Sequence, residues 1–208
     1  MRIENNYSVK AHNTFGINQI TKRFIEYSSA DELKELIKSG KLEQPFFHIG
    51  AGSNLLFVDD YEGTLLHSAI CYIHPVKETK DEVWVSVGAG TCWDDFVAHC
   101  VEKEWYGVEN LSLIPGEVGS AAVQNIGAYG VEVKDLLVSL KAINLLTGEE
   151  REFSNAECQY DYRYSCFKQP EMKVWAVVEV TFKLSKQPTF NLTYKGLLSE
   201  LGEQPYSL

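Results

Sequence analysis

The chain has 208 residues, enough for one large domain or two small ones with a buried core. Hydrophobic residues make up 45% of the chain and charged residues 23%, which is typical of a globular protein. The net charge of -10 argues against a general nucleic-acid-binding protein, because such a protein needs a basic face to neutralise phosphates.

No apolar run has the length of a membrane-spanning helix, and the N-terminal segment lacks the apolar core of a signal peptide. We therefore expect a cytoplasmic protein with no membrane partner. The 5 cysteines are odd in number and include no CxxC pair. We expect reduced thiols and no metal site.

The first half of the chain predicts one helix and several short strands. Residues 29–39 predict a helix, with Ser28 or Ser29 placed to cap its first turn. The apolar run 45–49 predicts a buried strand that ends in glycines. Residues 55–58 and 64–67 predict two further short strands.

The second half continues with mixed elements. A strand is predicted at 83–87, and Thr91 is then placed to cap a second helix. Residues 136–145 and 150–153 read as two strands of a hairpin, because a Thr-Gly turn signal lies between them.

A long alternating strand is predicted at 174–184. Strict alternation places Val178 and Val180 on one face and Val177 on the other. Strands outnumber helices and do not alternate with them regularly, which indicates the α+β class. We place a boundary near residues 70–80, which gives subdomains at 1–72 and 73–208.

The first segment with chemical content is a strand that runs into a Gly-x-Gly turn. Gly50 and Gly52 let successive N–H groups curl toward an anion, and Ser53 and Asn54 can add hydrogen bonds. A pyrophosphate fits this pattern, and so does a plain strand-to-strand turn. It is not a Rossmann fingerprint, because the third glycine and the following helix are both missing.

The second segment, 114–130, is dense in glycine, alanine and serine. Small residues let the backbone approach a flat ligand, and a flavin ring needs donors and acceptors along its edge. Gln124, Asn125 and the N–H groups near Gly127 and Ala128 could supply them. The alternative is a tightly packed helix start and loop.

The third segment, 158–168, sets Arg163 among tyrosines. A guanidinium group binds a carboxylate through two parallel hydrogen bonds and stays charged. From spacing alone, a surface arginine stacked on aromatic rings is equally consistent.

Together these segments make the chain resemble the UDP-N-acetylenolpyruvoylglucosamine reductase family, of the type with an extra substrate-side tyrosine loop. The matching motifs run in the family's order at residues 13–17, 50–57, 107–116, 124–130 and 162–168. The Ile-Pro-Gly to Gly-Ala-Tyr-Gly block is highly specific. The Gly-x-Gly-Ser-Asn turn also occurs in related flavin enzymes.

The resemblance implies non-covalent FAD on a two-part α+β domain of the vanillyl-alcohol-oxidase (PCMH) type. It implies that NADPH reduces the flavin, which then delivers hydride to the enolpyruvyl double bond of UDP-N-acetylglucosamine enolpyruvate. The product would be UDP-N-acetylmuramate, a peptidoglycan precursor. We expect a monomer whose partner is this small-molecule substrate.

The resemblance also implies roles for individual residues. Arg163 would polarise the substrate carboxylate with support from Tyr162, and Tyr129 and Tyr194 would contact the substrate. The residues that it assigns to FAD are Gly50, Gly52, Ser53, Asn54, Leu55, Leu56, Ser120, Gln124, Asn125, Ile126, Gly127, Ala128 and Val177.

The family continues into a substrate domain that carries the proton donor, so we expect these 208 residues to be inactive alone. Two other readings stay open. One is a non-catalytic flavin- or sugar-nucleotide-binding module. The other is a carbohydrate-oxidising flavoenzyme, which is weakened because no His or Cys is obviously placed for covalent flavin attachment.

Overall fold

The structure is a computed structural model that describes residues 1–202. Its strands are β1 (Arg2–Ser8), β2 (Ile20–Tyr27), β3 (Phe46–Ile49), β4 (Tyr61–Ser68), β5 (Ile73–Glu78), β6 (Glu82–Gly88), β7 (Gly127–Ala128), β8 (Val131–Glu132), β9 (Leu137–Asn144), β10 (Glu150–Ser154) and β11 (Trp175–Ser185). Its α-helices are α1 (Ala30–Lys38), α2 (Trp93–Glu102), α3 (Val118–Gln124) and α4 (Leu197–Leu201). The mixture confirms the α+β class.

Two sheets carry the fold. The first has the order β1-β2-β4-β3, with β2, β4 and β3 parallel and β1 antiparallel to β2. The second is antiparallel, in the order β10-β9-β11-β6-β5. A short ladder of β7 and β8 stands apart from both. The chain passes from the first sheet to the second between β4 and β5.

One hydrophobic cluster joins the two sheets. It contains Ile25 and Leu66 from the first sheet and Ala176 from the second, each fully buried. Because this core is shared, the strands alone do not divide the chain into two independent units. The boundary after residue 72 stays a proposal, and residues 203–208 of the second unit lie outside the described residues.

The local signals at α1 and the hairpin are confirmed. The Ser29 side chain accepts a hydrogen bond from the backbone N–H of Glu32 at 3.1 Å, as an N-cap does. Strands β9 and β10 pair antiparallel across the Thr-Gly turn. The cap assigned to Thr91 is wrong: its hydroxyl donates to the carbonyl of Tyr72 at 3.3 Å, and Cys92 occupies the cap position.

The strand expected at 55–58 is also wrong. The Leu55 N–H donates to the carbonyl of Gly52 at 3.2 Å, as in a turn. The side chains of Leu56 and Val58 are largely exposed, at 62% and 76%. The apolar run finds no partner strand there, so β-propensity does not decide its conformation. The strand at β3 exists, but it lies at a sheet edge and leaves Phe47 41% exposed.

Strand β11 contains a bulge that the alternation did not reveal. Val177 pairs with Ala142 and Glu179 pairs with the neighbouring Lys141, so Val178 is an extra residue. The bulge changes which face of the sheet the side chains on either side of it point to. Val177 therefore lies in the same hydrophobic cluster as Val180, and Val178 lies in a different cluster. The expected facing of Val178 and Val180 is therefore wrong. Val177 is thereby directed toward the site described next.

Candidate functional site

A cavity of about 410 Å³ lies where the loop after β3, helix α3 and strand β11 meet. This size is within the usual range of small-molecule and cofactor sites. The residues assigned to FAD that line it are Gly50, Gly52, Ser53, Asn54, Leu55, Ser120, Gln124 and Val177. The assigned residues outside its lining are Leu56, Asn125, Ile126, Gly127 and Ala128.

The glycine turn is shaped by the protein around it. Gly52 has a φ of +71°, and a Cβ there would lie 1.9 Å from the carbonyl oxygen of His12. A Cβ on Gly50 would lie 2.9 Å from the Ser120 side chain. Position 52 thus requires glycine because the backbone there packs closely against His12. The sequence pattern had attributed this glycine to the binding of an anionic ligand.

Two polar side chains tie this turn to the region around α3. The Ser53 hydroxyl donates to the carbonyl of Pro115 at 3.0 Å. The Asn54 amide donates to the Gln124 side-chain oxygen at 3.0 Å. The turn and the helix therefore form one wall of the cavity, and they present polar groups along it.

The small-residue segment forms α3 and packs closely on β6. A Cβ on Gly119 would lie 2.8 Å from the Cβ of Ala89, so the helix could not approach as near with a larger residue. The packed-helix reading of this segment is therefore correct for 118–124. It does not compete with ligand binding, because Ser120 and Gln124 of the same helix line the cavity.

Asn125 ends α3 in a left-handed conformation with a φ of 47° and is fully buried. Its side-chain amide donates to the carbonyl of Asp161 at 2.9 Å, and its side-chain oxygen accepts from the N–H of Lys134 at 3.0 Å. These bonds hold the segment around Asp161 against the end of α3. The structure thus gives the Asn125 side chain a supporting place behind the cavity.

Arg163 lies beside β7. Its Nη2 donates to the carbonyl of Gly127 at 2.6 Å, and its own carbonyl accepts from the Lys168 ammonium at 2.6 Å. Phe167 and Lys168, from the same segment, line the cavity. Arg163 is exposed and its guanidinium carbon lies 5.8 Å from the ring centroid of Tyr162, which is 77% exposed. This arrangement is consistent both with an arginine that binds a carboxylate and with a surface arginine stacked on aromatic rings.

The two tyrosines assigned to the substrate meet. The rings of Tyr129 and Tyr194 are 5.5 Å apart in an edge-to-face contact, and each residue is 51% exposed. The Asn110 amide donates to the carbonyls of Tyr129 at 3.0 Å and Asn191 at 2.8 Å. These bonds hold the segment before α4 against the β7–β8 ladder.

Sequence reasoning missed three ionisable side chains in the cavity wall, His48, Glu117 and Lys173. Burial lowers the pKa of His48 to about 3, so this imidazole is neutral; it shares a 2.7 Å hydrogen bond with the Tyr27 hydroxyl. Glu117 precedes α3, and its carboxylate is bonded to His67 at 2.8 Å. Glu117 and His67 are 50 residues apart in sequence, so no local pattern indicates that they are hydrogen-bonded to each other.

The donor set fits a flavin dinucleotide. The glycine turn with Ser53 and Asn54 suits a diphosphate. Lys168 and Lys173 bring positive charge to the cavity of an acidic protein. Val177 offers an apolar contact to a ring system.

Within residues 1–202, no helix has both the length and the apolar character needed to span a bilayer. In the same range, no three His, Cys, Asp or Glu side chains are grouped as a metal site would need.

Comparison with known proteins agrees with the geometry. The model of the family described as FAD binding domain matches residues 21–154. A UDP-N-acetylenolpyruvoylglucosamine reductase of Bacteroides fragilis is 55% identical over 203 residues, and one of Porphyromonas gingivalis is 45% identical over 205 residues. Each alignment covers 98% of this chain and 61% of the relative, so the chain spans less than two thirds of their length.

Among solved structures, the UDP-N-acetylenolpyruvylglucosamine reductase of Thermus caldophilus superposes with a TM-score of 0.74 at 25% identity. The match covers 100% of this chain and 72% of that one. The expected resemblance and the PCMH-type fold are thereby confirmed. The chain belongs to the FAD binding domain family, and over nearly its whole length it is similar to the UDP-N-acetylenolpyruvoylglucosamine reductases.

Proposed function

We propose that the chain carries the FAD site of a UDP-N-acetylenolpyruvoylglucosamine reductase. The reaction would use NADPH to reduce UDP-N-acetylglucosamine enolpyruvate to UDP-N-acetylmuramate in peptidoglycan precursor synthesis. The observation that carries the proposal is the cavity where the glycine turn, α3 and Val177 of the bulged β11 converge. It brings together three segments that are far apart in sequence.

In this proposal the wall formed by residues 50–54 binds the diphosphate of FAD through backbone N–H groups and the Ser53 and Asn54 side chains. Gln124 and the backbone after α3 would supply hydrogen bonds to the flavin ring, and Val177 would give it an apolar contact. Bound FAD supplies the hydride transfer, which no side chain can perform. The cofactor is held without a covalent bond.

Arg163 is proposed to bind the carboxylate of the enolpyruvyl group. One guanidinium N–H is held by the carbonyl of Gly127, which fixes the side chain beside the flavin segment. The remaining N–H groups can donate to the substrate. A fixed cation stabilises the enolate charge that develops as hydride adds to the double bond. Tyr162 would support this contact.

Tyr129 and Tyr194 are proposed to contact the substrate from the exposed side of the β7–β8 ladder. Their edge-to-face contact supports a joint role, because both rings offer apolar faces and hydroxyl groups at one place. We propose that the protein acts in the cytoplasm, since NADPH and the UDP-sugar substrate are small soluble molecules, and that it is a monomer.

An FAD titration followed by quenching of flavin fluorescence tests the site. We expect Asn54→Ala to bind FAD about tenfold more weakly, because it loses a diphosphate donor and the bond to Gln124. The matched control is Asn5→Ala, an exposed asparagine on β1 of the first sheet. Equal affinities for the two variants would contradict the placement.

A second measurement separates the reductase from a non-catalytic flavin module. Under anaerobic conditions, NADPH should bleach the absorbance of FAD bound to the protein within the time of a stopped-flow experiment. A non-catalytic module would bind FAD but leave it oxidised.

A further inference from the structure

A buried ionic cluster links the first sheet to helix α3. His67 on β4 hydrogen-bonds through Nδ1 to Glu26 of β2 at 2.9 Å and through Nε2 to Glu117 at 2.8 Å. The side chains of His67 and Glu117 are 11% and 12% exposed, and that of Glu26 is 23% exposed. The reductase proposal gives this cluster no role.

The geometry specifies the charge of the imidazole. A carboxylate only accepts hydrogen bonds, so His67 must donate from both ring nitrogens, which requires the protonated ring. Burial alone would lower the pKa of His67, but the hydrogen bonds and charges of Glu117 and Glu26 raise it above its ordinary value.

Glu117 reaches the cavity. Its carboxylate faces the glycine turn, since a Cβ on Gly50 would lie 3.2 Å from Glu117 Oε2. The Ser120 hydroxyl accepts from the Glu117 N–H at 3.3 Å and donates to the Glu117 carbonyl at 2.9 Å. A carboxylate thus stands in the wall proposed to bind the diphosphate, where negative charge opposes the ligand.

We propose that His67 is a positioning residue for the cofactor: protonated, it fixes Glu117 and offsets its charge beside the turn at 50–54, so that FAD binds tightly only to this form. The inference rests on the proposed FAD site. When His67 loses its proton, it can donate to one carboxylate only, and the cluster gains a second net negative charge.

Other charged groups around the cluster do not replace His67. The further ionisable side chains that face it are Arg2, His12, Tyr27, His48 and Cys71. Arg2 Nη1 is 3.8 Å from Glu26 Oε1, whereas His67 bonds to Oε2 of the same carboxylate. Burial and the charge of His67 lower the pKa of His12, whose ring lies 4.9 Å from that of His67. The pKa of His12 therefore lies below that of His67.

The sign of the pH dependence follows. His67 has a raised pKa in the folded protein. It therefore offsets the charge of Glu117 fully at low pH, and this effect is lost as pH rises through that pKa. The diphosphate of FAD keeps its charge over the same range. FAD affinity should therefore fall with rising pH.

The test is the FAD dissociation constant of the wild-type protein, His67→Gln and Glu117→Gln, measured by fluorescence quenching from about pH 6 to about pH 9. The wild-type constant should rise about tenfold over this range. His67→Gln should be about tenfold weaker than wild type at the acid end and vary less than about twofold with pH. Circular dichroism establishes that each variant is folded.

Glu117→Gln separates electrostatics from scaffolding. It keeps the size of the side chain and one acceptor oxygen for His67 but removes the charge, so its FAD affinity at about pH 9 should equal or exceed that of wild type. If both variants weaken FAD equally and keep the wild-type pH profile, the cluster is only a scaffold and the inference is wrong. A pH-independent wild type that still binds FAD overturns the inference and leaves the proposed function standing. No FAD binding at any pH overturns both.

Discussion

Gly52→Ala separates backbone strain from steric exclusion at the glycine turn. Gly52 has a φ of +71°, so alanine there adopts the left-handed conformation at a cost of about 1–2 kcal/mol. Its Cβ would also lie 1.9 Å from the carbonyl oxygen of His12, which is far inside van der Waals contact. The turn must therefore shift, and Ser53 and Asn54 shift with it.

Gly40→Ala is the matched control. Gly40 has a φ of +66°, and a Cβ there would meet nothing within 4 Å. This variant carries the same conformational cost without the steric one. We expect it to lose about 1 kcal/mol of unfolding free energy and to bind FAD normally. We expect Gly52→Ala to lose more stability and to bind FAD at least about tenfold more weakly.

Urea denaturation and FAD titration of the two variants supply the measurements. Equal stability and equal FAD affinity would refute the reasoning, because the structure predicts a difference due to His12 alone. Normal FAD affinity in a destabilised Gly52→Ala would separate the turn from the cofactor and would count against the diphosphate placement.

Three further predictions concern the rest of the site. In a protein that spans the full length of the curated relatives, Arg163→Lys should slow oxidation of the reduced flavin by substrate at least about tenfold, since an ammonium cannot bind a carboxylate through two parallel bonds, and it should leave reduction by NADPH unchanged; Arg151→Lys on β10 is the control, and a slowed NADPH half-reaction would contradict the assignment. Asn125→Gly keeps the left-handed backbone but leaves two part-buried partners without their bond to Asn125, so urea denaturation should show a loss of about 1–2 kcal/mol; a loss below about 0.5 kcal/mol would contradict it. The 208-residue chain loaded with FAD should not turn over enolpyruvyl substrate in an NADPH-oxidation assay, and substrate-dependent turnover would contradict this.

Local signals predicted local structure well. The cap at Ser29 and the hairpin of β9 and β10 depend on residues a few positions apart, so the sequence contains their determinants. The errors arose where distant segments decide. Residues 55–58 have strand propensity but no partner strand, and Thr91 bonds to the carbonyl of Tyr72, which is 19 residues earlier in the chain.

In the candidate site too, features that depend on nearby residues were predictable from the sequence, and features that depend on distant segments were not. The turn at 50–54 and the small-residue segment at 114–130 were recognisable from glycine content and motif resemblance, and residues of both line one cavity; that part of the segment is a helix was only the alternative interpretation. The facing of Val177 depends on a bulge that alternation conceals. The His67 cluster could not be foreseen, because its partners lie 41 and 50 residues away and each is an ordinary residue in its own element.

A crystal structure of the protein with FAD tests the central claim most directly. The account predicts that the diphosphate lies within hydrogen-bond distance of residues 50–54, that the isoalloxazine ring contacts Val177, and that no bond joins the flavin to the protein. FAD bound elsewhere on the chain, or a diphosphate away from the glycine turn, would contradict it.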